Sequence, residues 1–262
     1  MQFVETPKWA DEMAERVAEA VRSRQLDLDA GFLPEALKPE TGQLSGSKTA
    51  LAAMVANYTN VALDTLVTFS AAYRSTAPLT AGYTLLRSCT ESSARLWWLV
   101  SPTSRRTSER RAVASALRTL REYRAAGFTS DAEERVREVL EVMKLQSRQV
   151  GQVEGVRARA DGSLAFPNRG RDIRVGGESI PTMTDLLQEM NLEEHVWRWG
   201  SAATHAEAWL AEMHVEGRRE KGSDGVGFMG SARRDVTAAM LDSALAVFDE
   251  SFDTRARWVD GF

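Results

Sequence analysis

Arg198, Ser201 and His205 are spaced so that a guanidinium, a hydroxyl and an imidazole fall on one side of a single helix. They lie in Glu193–Glu212, EEHVWRWGSAATHAEAWLAE, a stretch with no proline and one interior glycine. At about 100° per residue, Val196, Trp199, Ala203 and Leu210 form one face. Glu194, Arg198, Ser201, His205 and Trp209 form another. A stripe facing a core accounts for the first set but not for the second. Arg198 and His205 stand two turns apart, roughly 10 Å, too far to bond each other and well placed for a phosphate and its ribose between them. A histidine that titrates near neutrality can take a 2′-OH proton. An arginine fork can hold the phosphate as charge develops on it, with Ser201 as a further donor. Ala202 and Ala208 are small enough to let a second helix approach. The same row also fits a histidine satisfied by a core carboxylate beside a rim arginine, which makes it a polar network with no chemistry.

A second constellation precedes it. Arg87, Glu91 and Arg95 are four apart, so they share a helix face and Glu91 can pair with either arginine. On a surface such a trio contributes little. Here the flanking Leu85, Leu86, Leu96 and Trp97 imply partial burial. Charges that must be desolvated serve an orienting, catalytic or pairing role.

Other motif matches fail on context. Gly42–Thr49, GQLSGSKT, has a serine between Gly46 and Lys48 and no strand before it, so it is a helix start and not a phosphate-binding loop. Gly225–Gly230, GVGFMG, fits G-x-G-x-x-G, but a charged segment precedes it and one long helix follows, which a dinucleotide site does not allow; an anion held at that helix N-terminus is the reading left open. The three histidines, 195, 205 and 214, form no H-E-x-x-H and no Glu-x-x-His pair, so no metal and no cofactor is expected. No G-x-S-x-G is present for a serine hydrolase.

These residues must be carried by helices. Thr6-Pro7 opens the first, with Trp9, Met13, Val17 and Val21 as its stripe. Asp27 to Ser47 reads as a connector. Lys48–Arg74 and Leu79–Val100 read as buried helices, and Arg105–Ala126 as a third, closed by Gly127. Ser130-Asp131-Ala132-Glu133 is a capping box for a helix running to Val150. Gln152–Ile180 loses helical periodicity and gathers five arginines; Val156–Phe166 reads as a hairpin turning at Asp161-Gly162. That insert is either a solvated excursion or a basic flap near an anionic ligand. Helical signal returns at Pro181–Met190. Val215–Ser231 reads as a glycine-rich loop, and Ala232–Val259 as the last helix. The expectation is an all-α fold, an antiparallel bundle of seven or eight helices. It forms one domain over residues 1–262, with the irregular or hairpin insert at 152–180.

The 262 residues are 43% hydrophobic, enough for a substantial core. A net charge of −4 gives no global attraction to nucleic acid or anionic lipid. Of 33 basic side chains 28 are arginine, which fits a GC-rich coding bias, or anion-binding forks among them. The single cysteine, Cys89, excludes an intrachain disulfide and a cysteine-based zinc cluster. No signal peptide and no apolar run of about 20 residues is read, so a soluble cytoplasmic protein with no membrane association is expected.

The Arg198–His205 spacing resembles the R-x4-6-H motif of the HEPN superfamily (higher eukaryotes and prokaryotes nucleotide-binding). A wider pattern resembles a group of all-helical actinobacterial proteins. Their R-x3-E helix ending in W-L-x-x-P is matched by Arg87, Glu91 and Trp98-Leu99-Val100-Ser101-Pro102, and their R-x2-S-x3-H segment by Arg198, Ser201 and His205. Together the matches touch under a fifth of the chain. The resemblance implies an all-α fold and a homodimer. It also implies a metal-independent RNase of a toxin or phage-defence type acting on RNA. Catalytic roles would fall to Arg198, His205 and Glu91, with Arg87 and Ser201 binding substrate. The residue after the motif arginine is usually polar in active members and is Trp199 here, which points to a non-cleaving member. The alternative function is a non-catalytic all-helical interaction module built around a buried Arg/Glu/His network.

Overall fold

The computed structural model describes residues 8–30, 46–75, 81–127, 151–159, 164–168, 172–192, 197–198, 201, 215–219, 228–232 and 234–261. Among these the chain is predominantly helical. The helices are α1 (Lys8–Ala30), α2 (Gly46–Ser75), α3 (Ala81–Val100), α4 (Arg105–Ala125), α5 (Met183–Glu189) and α6 (Arg234–Asp260). The strands are short: β1 (Val153–Glu154), β2 (Arg157–Ala158), β3 (Leu164–Ala165), β4 (Arg174–Val175), β5 (Glu178–Ser179), β6 (Val215–Arg219) and β7 (Phe228–Ala232). The helix expected after Ser130 lies outside the described residues, as does most of Glu193–Glu212.

Two compact units are present, and their boundaries fall at the end of α1 and inside α2, α3, α5 and α6. The first takes in Met1–Ala30, Tyr58–Arg95 and Leu187–Asp253. Its core is organised by α1. Met13, Ala14 and Val17 are buried, and the buried Ser70 hydroxyl of α2 donates to the Ala14 carbonyl at 2.9 Å. Trp9 meets Tyr73 edge-on and Phe69 stacks on Tyr73 at 4.1 Å between centroids. On α6, Met240, Leu241, Ala244, Val247, Phe248 and Phe252 are buried at helical spacing. Ion pairs join Glu12 to Arg234, Arg16 to Asp242, and Arg24 to both Asp249 and Asp253. Both series ascend together, so α1 and α6 run parallel, where an antiparallel bundle is the expectation. The chain between them is long enough to return to the same end, and only short loops force antiparallel neighbours.

The second unit takes in Gly31–Asn57, Leu96–Leu186 and Thr254–Phe262. In it α4 lies against β4 and β5. The strands form an antiparallel sheet in the order β1-β4-β5 and a separate hairpin β2-β3. The hairpin expected over Val156–Phe166 is present, with Arg157 opposite Ala165 and Ala158 opposite Leu164; its turn is outside the described residues. The β4–β5 turn is Gly176-Gly177, both with positive φ, the two-residue geometry that suits the twist of paired strands. Gly155 has a φ of +82°, and a Cβ there would run into the Asp172 carbonyl.

A further expectation is overturned. Val215–Ser231 is no glycine-rich loop along its length: Val215–Arg219 pairs with Phe228–Ala232 in register through five rungs. Phe228, Met229 and Gly230 of the G-x-G-x-x-G match therefore lie on a strand, and α6 begins only at Arg234.

The stretch Ala50–Ser75 of α2 is long and apolar enough, by length and composition alone, to cross a bilayer. It also carries Asn57, Asn60 and Asp64 on its exposed side, side chains that hydrocarbon disfavours. Leu51, Val55, Thr59, Ala62, Leu66, Phe69 and Tyr73 make the buried row, the pattern of a helix with one face in a core.

Candidate functional site

The site is built on α3. Its sequence, AGYTLLRSCTESSARLWWLV, has no proline, and its one glycine stands in the first turn. Tyr83, Leu86, Cys89, Thr90, Ser93 and Ala94 are buried, which fixes the opposite side as the one that carries Arg87 and Glu91. These two are one turn apart with 3.9 Å between Nη2 and Oε2, a loose pair whose side chains are 22% and 40% exposed. Arg95, one turn on, is 6% exposed.

The Arg87 guanidinium lies over the Trp197 ring, 5.6 Å from its centroid. At that distance a cation is drawn to the ring face, by about 0.5–1 kcal/mol where exposed and more where desolvated. Residues 197, 198 and 201 are helical. Trp197 is half-buried, Arg198 exposed and Ser201 half-buried. The stack thus brings α3 against the turn that bears Arg198. His205 lies outside the described residues.

Among the described residues two buried donors in this contact have no hydrogen-bond partner: Nε of Arg87 and Nε1 of Trp197. Leaving a buried N–H unmet costs about 1–3 kcal/mol. Glu91 remains the only carboxylate the structure pairs with Arg87 among the described residues, and loosely. Two adjacent segments thus carry two guanidiniums and a hydroxyl, groups that can bind a phosphate, and one half-exposed carboxylate, which can orient an arginine but repels a phosphate.

Cys89 sits on the buried side of the same helix at 0% exposure. Burial pushes its thiol up to about 12, against hydrogen bonds to Ser93 and Thr65 that work the other way. A thiol held neutral is neither nucleophile nor ligand. Among the described residues no group of three or more His, Cys, Asp or Glu side chains could hold a metal ion.

Three residues escape sequence reasoning. Trp197 is one; an aromatic directly before a candidate phosphate-binding arginine is its only signal. Arg111 is another. Its Nη1 donates to the Trp98 carbonyl at 2.6 Å and its Nε to Glu178 at 2.9 Å. Its guanidinium lies 5.1 Å from the Trp98 ring centroid. The Trp98-Leu99-Val100-Ser101-Pro102 segment is thus the seat of an arginine latch that caps the C-terminal carbonyls of α3. Arg121 does the same for the insert, with Nε donating to the Pro167 carbonyl at 2.9 Å and Nη2 to that of Asn168.

No protein-family model, no curated protein and no solved structure matches the chain.

Proposed function

We propose that the chain is a HEPN-like helical protein that cleaves RNA without a metal, as a homodimer in the cytoplasm, in the manner of a toxin or phage-defence RNase. His205 takes the proton of a 2′-OH, and the freed oxygen attacks the adjacent phosphorus. Arg198 holds the phosphate as charge builds on its oxygens, and Ser201 donates to it. The P–O5′ bond breaks, the 5′-oxygen takes a proton from solvent water, and the products carry a 2′,3′-cyclic phosphate and a 5′-hydroxyl. Glu91 orients the site through Arg87, which also contacts substrate. Helices over 131–150 and 193–212 complete a bundle of eight.

The observation that carries this reading is the Arg87–Trp197 stack. It makes neighbours of two segments more than a hundred residues apart in the chain, each of which bears candidate site residues. The orphaned donors beside it add a reason for an oxyanion to bind there.

The same stack supports a second reading, a non-catalytic interaction module in which Arg87 braces two helices. Purified wild type and His205→Ala, incubated with RNA in excess chelator, separate the two. The RNase reading expects cyclic-phosphate ends from the wild type alone. Intact RNA from both proteins sinks it and leaves the module.

A further inference from the structure

The arginines of the second unit are unevenly used. α4 carries seven arginines against two glutamates, in a chain whose net charge is −4. Some have structural partners: Arg105 pairs with Glu109, Arg111 with Glu178, and Arg121 holds Pro167. Arg118, Arg157, Arg159 and Arg174 do not. Among the described residues none of these four side chains makes a hydrogen bond or an ion pair. Arg118 is half-buried and the other three are exposed.

Three of the four are drawn into one region by contacts already described. Arg121 fixes the end of the β2–β3 hairpin to α4. Arg118 lies three residues before it, one turn away on the same side and about 4.5 Å along the axis. Arg157 pairs with Ala165, two residues before Pro167 and so about 7 Å from it along the strand. Arg159 follows two residues on. Arg174 is on β4 opposite Glu154, which offsets its charge. Asp172 and Glu122 are the other exposed carboxylates of these elements.

We propose that Arg118, Arg157 and Arg159 form a docking surface for the phosphodiester backbone of a nucleic acid. Charge complementarity identifies the occupant. Guanidiniums without a carboxylate partner, on a helix and on the hairpin that Arg121 fixes to it, offer several points at which one strand's phosphates can be neutralised. Each arginine that neutralises a phosphate releases a condensed counterion. Contacts from arginine to phosphate position a strand without reading its bases, so the three carry no sequence preference. RNA and DNA strands of one length therefore bind it alike. The inference does not rest on the RNase reading, because it needs neither Arg198 nor His205.

The test is fluorescence anisotropy of labelled single-stranded RNA and DNA against the full chain over a salt series. The His205→Ala background is used so that cleavage cannot intervene. Both strands should bind, with a linear fall of log affinity against log salt. In the triple variant R118A/R157A/R159A that slope should shrink by about 2, since each phosphate contact on a single strand contributes about 0.7. R118K/R157K/R159K should keep it. If the triple alanine chain does not fold, R157A/R159A, confined to exposed positions, should lose about 1.4. No binding at low salt, or an unchanged slope in the alanine variants, overturns the surface. Binding to phosphatidylserine vesicles without binding to either strand also overturns it, in favour of a membrane. Strands that bind but are never cut by the wild type would sink the active site alone. Cutting that survives with an unchanged salt slope would sink this surface alone.

Discussion

The ring of Tyr73 fills the space where a side chain on Gly82 would stand. A Cβ built on Gly82 comes 2.6 Å from Cε2 and 2.9 Å from Cζ of Tyr73, and meets the phenolic oxygen as well. Glycine is thus what lets α3 approach α2 closely enough for Arg87 and Glu91 to take their positions. Tyr73 itself is fully buried and stacked on Phe69, and burial raises its phenol above the ordinary value.

Gly82→Ala should therefore destabilise the fold by about 1–3 kcal/mol, the range for overpacking a filled site. Urea unfolding measures it. In a Tyr73→Ala background the same change should cost markedly less, since the obstructing ring is gone and the two sites share one space. Equal costs in both backgrounds would show that the ring is not what the glycine accommodates.

Arg111 joins three pieces of the second unit: the Trp98 carbonyl and Ser101 at the end of α3, its own helix α4, and Glu178 on β5. Its side chain is 20% exposed and that of Glu178 27%, so water screens the pair only in part. Arg111→Ala should cost about 1.5–3 kcal/mol, the scale for a hydrogen bond to a charged group. Arg111→Lys should recover little, because an ammonium cannot reach a carbonyl and a carboxylate from a planar fork while lying on an indole. Thermal melts of the three proteins decide it. Full rescue by lysine would reduce the latch to simple charge.

Thr182 and Asp185 close a capping box on α5. The Thr182 amide and hydroxyl donate to the Asp185 carboxylate at 3.0 and 2.6 Å, and the Asp185 amide donates to the Thr182 hydroxyl at 3.2 Å. The Thr182 hydroxyl, then its amide, hold the Asp185 carboxyl below its usual value. The sign follows. A depressed folded pKa means the unfolded chain binds the proton more readily, so the contribution is whole above about pH 3.9, the unfolded value. It disappears as pH falls through the lower folded value. Asp185→Asn should lower stability at neutral pH and leave the difference from wild type smaller in acid. A gap that widens on acidification would contradict the assignment.

Much of this architecture can be read from residue order, and the exceptions have physical causes. α2, α3, α4 and α6 announce themselves by long apolar rows between breakers such as Ser101-Pro102 and by Gly127, whose φ of +88° closes α4. The β2–β3 hairpin follows from the Asp161-Gly162 pair between its strands, where helical periodicity stops. The β4–β5 hairpin has an equally plain marker in Gly176-Gly177, but its strands are two residues long and carry no periodicity. β6 and β7 escape because five-residue strands rich in arginine and glycine lack the β-branched run that marks a strand. Within the site, Arg87 and Glu91 are visible as one helix face. That Arg87 turns to Trp197 is a tertiary choice, made between segments more than a hundred residues apart, and no local spacing encodes it.

Trp197 offers the sharpest test of that choice. Its ring faces the Arg87 cation while its Nε1 is buried without an acceptor. The two properties separate by substitution. Trp197→Phe keeps an aromatic face and deletes the unmet donor; since an unsatisfied buried N–H opposes folding, stability should hold or rise slightly despite a smaller ring. Trp197→Ala removes the face and should cost about 3 kcal/mol or less, the low end for an aromatic in a core, because the residue is half-buried. Arg87→Gln should be nearly additive with Trp197→Phe, which keeps the face, but not with Trp197→Ala: there the coupling should appear as about 0.5–1 kcal/mol in a double-mutant cycle. If the indole N–H is kept for a ligand oxygen, Trp197→Phe will lose RNA cleavage while keeping its melting temperature. If the contact is only a brace, activity and stability will move together across all three variants.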